Sequence, residues 1–314
     1  MDNKLFLRGM TAQGWYNFTE ALVHMLLLRP VPQELIYTKK IKYGKDKLQY
    51  INTFAPKDKQ DVKKPVMIYI HGGGWVSGIT EMRNSYITNW AKKGFFVVAI
   101  SYTYAPQKVF PSQLQEIFSA IDFLYEHREE YGIDMNNIVL AGESAGGYYI
   151  SQVMSAVSDY ALYKNRGLEF KCADSIIIKA MVSLSGCFNF DRLTDPKKRQ
   201  SKFPDMKAMY TSFFGMRADV LRKWLKTDEA VIASPKITEK FAPMFIIWAT
   251  RDMLKYEAFD MVNDLRKHNI KYELFKIDDI SAQHAWSIVP LFKKSRECLE
   301  KTFEFVLPYL PEYF

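Results

Sequence analysis

Short, continuously apolar runs recur along this chain, each followed by a turn and a helix-length amphipathic stretch. Residues 65–70, 95–100, 138–141, 176–184, 244–249 and 272–277 are such runs. A strand that is apolar at every position has no face to give to water, so it belongs in a sheet covered on both sides. Segments with helical periodicity fall between them, roughly over residues 81–93, 112–131, 145–160 and 256–268, with Gly94 placed to end the first. Buried strands alternating with helices predict an α/β fold with a mostly parallel sheet and helices on both faces. Ahead of them, residues 35–54 form two strand-like runs broken by Tyr43-Gly44-Lys45-Asp46, which reads as an antiparallel hairpin on the sheet edge.

Two segments do not belong to the sheet. One is a helix around residues 13–28. The other is the stretch 188–240, rich in Phe, Met and Tyr, where Met206, Met209, Tyr210 and Phe213 recur at helical spacing. Such a stripe packs an inserted helix onto the body, and it also suits a cap over an apolar pocket. With no internal repeat or low-complexity linker, residues 1–314 read as one α/β domain.

Composition narrows the partners. Of 314 residues 48% are hydrophobic, enough for a sizeable core. The net charge of +8 comes from scattered pairs (Lys39-Lys40, Lys63-Lys64, Lys92-Lys93, Lys293-Lys294) and one denser run, Lys197-Lys198-Arg199. A nucleic-acid surface needs its cations on one element, so no nucleic-acid partner is expected; a solvated basic surface leaves room for an anionic ligand. Cys172, Cys187 and Cys298 are odd in number, widely spaced and lack a CxxC pair. That predicts neither a disulfide framework nor a metal site, and a reducing, cytoplasmic location. The apolar stretch 21–28 is interrupted by His24 and is too short to span a bilayer, so no integral membrane segment is expected. The sequence leaves monomer and homodimer open.

The chemistry-bearing residues follow the apolar runs. Gly142-Glu143-Ser144-Ala145-Gly146 stands between the run 138–141 and a helix. A serine on so sharp a turn projects its hydroxyl, and the helix beginning at Ala145 presents unpaired N–H groups to a developing anion. His71-Gly72-Gly73-Gly74-Trp75 follows the run 65–70. Three consecutive glycines weaken a helix or strand, but in a loop they leave backbone N–H groups able to face an oxyanion. A phosphate loop is the competing reading, and neither GxxxxGK[ST] nor GxGxxG is present. Trp75 suits either packing or an acyl pocket.

A nucleophilic serine needs a base. Among His24, His71, His127, His268 and His284, only His284 stands in a loop after the last predicted strand, where α/β active sites are built. Asp252, after the run 244–249, suits the carboxylate that orients it, and the order Ser144, Asp252, His284 is that of the α/β-hydrolases. Asp278 and Asp279 are rivals by proximity in sequence.

HGGGW, GESAGG, the Asp252-Met253-Leu254 segment and the late His284-Ala285-Trp286 resemble the hormone-sensitive-lipase-like carboxylesterases of the α/β-hydrolase fold. The segment 101–106, followed by Phe110-Pro111 and Glu116, resembles that family's DYRLAPE…FP…D pattern, with Ser101 in place of Asp and Thr103 in place of Arg. The resemblance covers about residues 64–292. It implies an eight-stranded sheet with a helical cap formed by approximately residues 1–30 and 188–240, an oxyanion hole from the N–H groups of Gly73, Gly74 and Ala145, and small or medium acyl esters as substrates. Trp75, Tyr148 and Trp286 are the candidate substrate-binding residues, and no cofactor or metal is expected. An arylformamidase-like amide hydrolase is the nearest alternative. A ligand-binding receptor like the gibberellin receptors, or a cholinesterase-like adhesion module, fits less well: His284 argues against the first and Ser144 against the second.

Overall fold

The computed structural model describes residues 3–27, 30–58, 62–195, 197, 204–279, 282–289 and 292–314. Lys198 and Arg199 of the basic run, Leu28 of the N-terminal stretch, and Ile280 and Ser281 ahead of His284 lie outside the described residues. Helix α1 (Asn3–Leu27) leads to β1 (Leu35–Lys42) and β2 (Tyr50–Pro56). There follow β3 (Lys64–Ile70), α2 (Asn84–Lys93), β4 (Phe96–Ile100), α3 (Ser112–Glu126), β5 (Ile133–Glu143), α4 (Ala145–Ser158) and the short α5 (Tyr160–Lys164). After β6 (Ile178–Leu184) come α6 (Phe190–Thr194), α7 (Pro204–Phe214) and α8 (Ala218–Trp224). The last elements are β7 (Met244–Ala249), α9 (Lys255–Lys267), β8 (Tyr272–Ile277) and α10 (Lys293–Val306).

The strands form one 8-stranded sheet in the order β1-β2-β4-β3-β5-β6-β7-β8. β1 and β2 form the expected edge hairpin, β2 pairs antiparallel with β4, and the remaining pairs are parallel. Strands β3, β4 and β7 are buried at every position, as their unbroken apolar runs require. One face packs Val66, Ile68 and Ile70 of β3 against α3, α4 and α9. The other packs Met67 and Tyr69 against α2 and α10. From β3 the chain moves outward to β4, whereas β5 starts the march the other way. The crevice beyond the carboxyl ends of β3 and β5 is therefore the topological switch point, where open α/β sheets hold their ligands.

Boundaries differ from the sequence reading where local preference and packing disagree. α1 begins at Asn3 rather than near residue 13, because residues 3–12 carry apolar side chains on both sides of the helix and show no single stripe. β5 begins at Ile133, recruiting residues 134–137, three of them polar, by pairing Ile133 and Asp134 with the start of β3. α2 begins at Asn84 after a 3₁₀ turn at Thr80–Arg83, and it ends on Gly94, at φ 115°, as expected. Cys172, Cys187 and Cys298 are buried free thiols. Among the described residues, no helix is long and apolar enough to cross a membrane.

Candidate active site

Ser144 sits where β5 turns into α4, at φ 54° and ψ −118°. A non-glycine residue held there carries on the order of 1–3 kcal/mol of strain, which the surroundings must impose. They do: Ser144 N–H donates to the Leu184 carbonyl at 3.0 Å, and its own carbonyl accepts from Gly147 at 3.0 Å and Cys187 at 3.1 Å. The glycine before the helix interior is a steric necessity, since a Cβ on Gly146 would run into the Ile70 carbonyl of β3. Strand and helix thus meet with only backbone between them, and the hydroxyl-bearing residue stands at the apex.

The glycine loop lies against this elbow. A Cβ added at Gly72 would be 3.0 Å from the Cβ of Ser144. Gly73, Gly74 and Trp75 follow at φ 120°, 59° and 65°. The Gly73 carbonyl accepts from Val76 and Ser77 N–H at 3.1 and 3.0 Å, folding the loop on itself. His71 braces its root: Nδ1–H donates to the Gly72 carbonyl at 2.7 Å, and the ring stacks on Tyr102 with centroids 4.6 Å apart. Burial, helped by the positive charge of Arg83, pushes the His71 pKa down to about 4, so its imidazole stays neutral.

Asp252 and His284 meet from the loops after β7 and β8. His284 Nδ1 lies 2.9 Å from Asp252 Oδ1, which also accepts the Leu254 N–H at 2.7 Å. Burial opposes charge on both groups, but their mutual attraction and hydrogen bond outweigh it. The His284 pKa is raised above 6.5 and the Asp252 pKa is lowered below 3.8. The rival carboxylates face elsewhere: Asp278 accepts from the Thr250 hydroxyl at 2.8 Å, and Asp279 pairs with Lys294 at 3.3 Å. Ser185, with no signal in the sequence, accepts the Ala285 N–H at 3.3 Å and so steadies the residue after His284.

Beneath the elbow is a buried network that motif reasoning missed. Glu143 accepts from Arg83 Nε at 2.7 Å and Arg83 Nη2 at 2.6 Å, and Tyr69 donates to its other oxygen. At Ser101 and Thr103, where the family pattern has Asp and Arg, the Thr103 N–H donates to Glu116 at 2.6 Å, and Lys108 stands 3.3 Å from that carboxylate.

Trp75 and Tyr148 come together in an aromatic cluster. Trp75 packs against Phe190 and Phe213, both at 5.1 Å between centroids, and Tyr148 at 6.1 Å. Trp286, the third candidate, belongs instead to the core on the opposite sheet face, with α2 and α10; there its carbonyl accepts from Ser295 at 3.2 Å. Its place directly after the histidine loop put it near the site in sequence, while the short 3₁₀ turn Trp286–Ile288 directs it into that core.

Within the segment 188–240, helix α7 lies against the glycine loop. A Cβ on Gly74 would collide with Met209 of α7, and α1 packs on α7 in turn. The segment is tied down at both ends. At its start the Glu257 carboxylate of α9 accepts the N–H groups of Phe188 and Asn189 at 2.8 and 2.7 Å, and Arg192 pairs with Asp260. At its end Tyr148 donates to the Ala233 carbonyl at 3.1 Å and Gln152 to the Ile232 carbonyl at 2.9 Å. Burial raises the Glu257 pKa to about 7 despite these two donors.

A mostly parallel sheet with an elbow at the end of β5, and histidine and carboxylate loops after β8 and β7, defines an α/β-hydrolase. The chain belongs to the BD-FAE family, whose model matches residues 51–257. It is 23% identical to Esterase LipC of Mycobacterium tuberculosis over 222 residues, 69% of this chain and 51% of that one. An esterase of Fusarium pseudograminearum is 24% identical over 241 residues, 76% of this chain and 71% of that one. The crystal structure of Esterase B from Lactobacillus rhamnosis shares the fold with a TM-score of 0.80 at 17% identity, covering 99% of this chain and 98% of that one. The chain spans about half the length, or less, of several curated relatives it matches, including LipC.

Proposed function

We propose that this chain is a serine carboxylesterase that hydrolyses short- to medium-chain acyl or aryl esters through Ser144, His284 and Asp252. The observation that carries the reading is the Asp252–His284 hydrogen bond at the same sheet edge as the strained Ser144 elbow. Relatives named as esterases support the reaction class. Ser144 Oγ attacks the ester carbonyl carbon while His284 Nε2 takes its proton, and Asp252 holds the Nδ1–H tautomer and stabilises the imidazolium. The N–H groups of Gly73, Gly74 and Ala145 receive the oxyanion. His284 then protonates the departing alcohol oxygen, and water, deprotonated by the same imidazole, attacks the acyl-enzyme to release the acid. No cofactor or metal enters this scheme.

Residues 188–240, with α1 behind α7, act as the cap. Met209 against Gly74 and the ring cluster around Trp75 leave a long acyl chain to displace packed side chains, which favours small and medium acyl groups. The test is hydrolysis of p-nitrophenyl esters from acetate to palmitate by wild type and Ser144→Ala. Turnover should fall with chain length and drop on the order of 10⁴-fold or more in the variant. Activity that survives the substitution would assign the nucleophile elsewhere.

A further inference from the structure

Helix α1 has apolar side chains on two opposite sides. Its inner side, with Leu5, Ala12 and Gln13, is buried. Gly9 comes so near α7 that a Cβ there would stand 2.6 Å from Ser212 Oγ. Gln13 fixes the seat, donating to the Ala105 carbonyl at 3.3 Å and accepting from Gln107 at 2.8 Å. This helix is therefore docked, and its outer side is a surface of the folded protein.

That outer side is apolar. Leu7 and Phe18 are each 64% exposed and Trp15 58%, with Phe6 and Met10 beside them at 40% and 38%. Leu7 and Phe18 lie about three turns apart, so they share one line of the helix pointing away from the body. Isolated exposed hydrophobics need no explanation, but this many large ones on one short stretch of helix form a patch that marks a contact surface. The charged residues between Asn3 and Phe18 are Lys4 and Arg8, both exposed, and the stretch holds no Asp or Glu.

We infer that this face of α1 docks the protein on a lipid surface with anionic headgroups, lying in the interface plane. Leucine, phenylalanine and tryptophan side chains enter the acyl boundary while lysine and arginine reach the phosphates, the side-chain set of an interfacial helix. The net charge of +8 adds longer-range attraction to such a surface. A second copy is a poorer occupant. Pairing this face with itself sets Lys4 and Arg8 near their own counterparts, with no carboxylate between Asn3 and Phe18 to offset them. Because α1 rests on α7, which carries Met209 over Gly74, a seated helix holds the glycine loop and its cover close to the lipid phase.

The test is cosedimentation of the full chain with vesicles of phosphatidylcholine, alone and mixed with phosphatidylglycerol. It reads binding and does not depend on the esterase reading. Wild type should partition onto the mixed vesicles and bind phosphatidylcholine alone more weakly. The double variant Leu7→Asn, Phe18→Asn should bind the mixed vesicles at least about tenfold less, and Arg8→Glu roughly fivefold less. Unchanged melting temperatures would show that both variants fold. Absence of wild-type binding to either vesicle would overturn the inference, as would wild-type levels of binding by the folded double variant. A wild-type dimer that the double variant converts to monomer, without vesicle binding, would reassign the face to self-association.

Discussion

His284 gains its basicity mainly from Asp252, with a smaller contribution from the Glu143 carboxylate. The Asp252 carboxylate raises the imidazole pKa above 6.5 against the opposing effect of burial. In the proposed mechanism only the neutral imidazole takes the Ser144 proton, so kcat/KM should rise with pH and level off above that raised pKa. Asp252→Asn removes the charge that holds the pKa up, so the rising limb should move to lower pH. The same change offers the ring an amide and disturbs the tautomer, and turnover should fall by about 10⁴-fold. A pH profile of p-nitrophenyl acetate hydrolysis reads both effects; a limb that stays in place would detach Asp252 from the base. At this scale the elbow at Ser144 and the Asp252–His284 contact were legible because each of these residues follows an apolar run. Arg83 was not, because its partner Glu143 lies 60 positions away in the variable position of the elbow motif, and only the pairing of β3 with β5 brings Tyr69 to the same carboxylate. Trp286 misled for the converse reason: adjacency in sequence to His284 says nothing about which sheet face a short turn directs the ring towards.

Between elements, what matters is how α2, the elbow and the segment 188–240 are fastened to the sheet. The guanidinium of Arg83, just ahead of α2, is 2.6 Å from a carboxylate buried under Ser144. Removing one member of a buried pair leaves the other charge without compensation, which costs more than the pair contributes. Arg83→Met should therefore lower unfolding free energy by roughly 3–5 kcal/mol in urea denaturation. A loss below about 1 kcal/mol, the scale of an exposed pair, would show that Glu143 finds other partners. The alternating pattern made strands and helices legible here, since complete burial on both faces leaves its mark on every residue of β3, β4 and β7. Element ends were less so. β5 extends back to Ile133 through Asp134 and Asn136, residues that disfavour strands: Ile133 and Asp134 pair with the start of β3, the Asn136 N–H donates to Asp134 Oδ1, and the Met135 carbonyl accepts from Ile177.

Across the whole molecule, the loop that supplies Asp252 runs directly into the helix that anchors the cover. Glu257 opens α9 and takes two N–H groups at the start of segment 188–240, so one carboxylate joins sheet, helix and overlying segment. It does so buried, facing the Arg192–Asp260 pair, and its pKa is raised from 4.5 to about 7. An acid whose folded pKa exceeds its unfolded value binds its proton better in the folded state. Folding is then favoured at low pH and loses stability as pH climbs from 4.5 through about 7. The total effect is on the order of 3 kcal/mol. His284, also raised, acts in the same direction, so wild type alone cannot separate the two. Glu257→Gln keeps an oxygen for Phe188 and Asn189 but has no proton to lose. Urea denaturation across that pH range should show wild-type stability falling and the Glu257→Gln curve falling less, the difference growing towards the alkaline end. Parallel curves would mean that Glu257 is already ionised throughout, held so by its two backbone donors and Arg192.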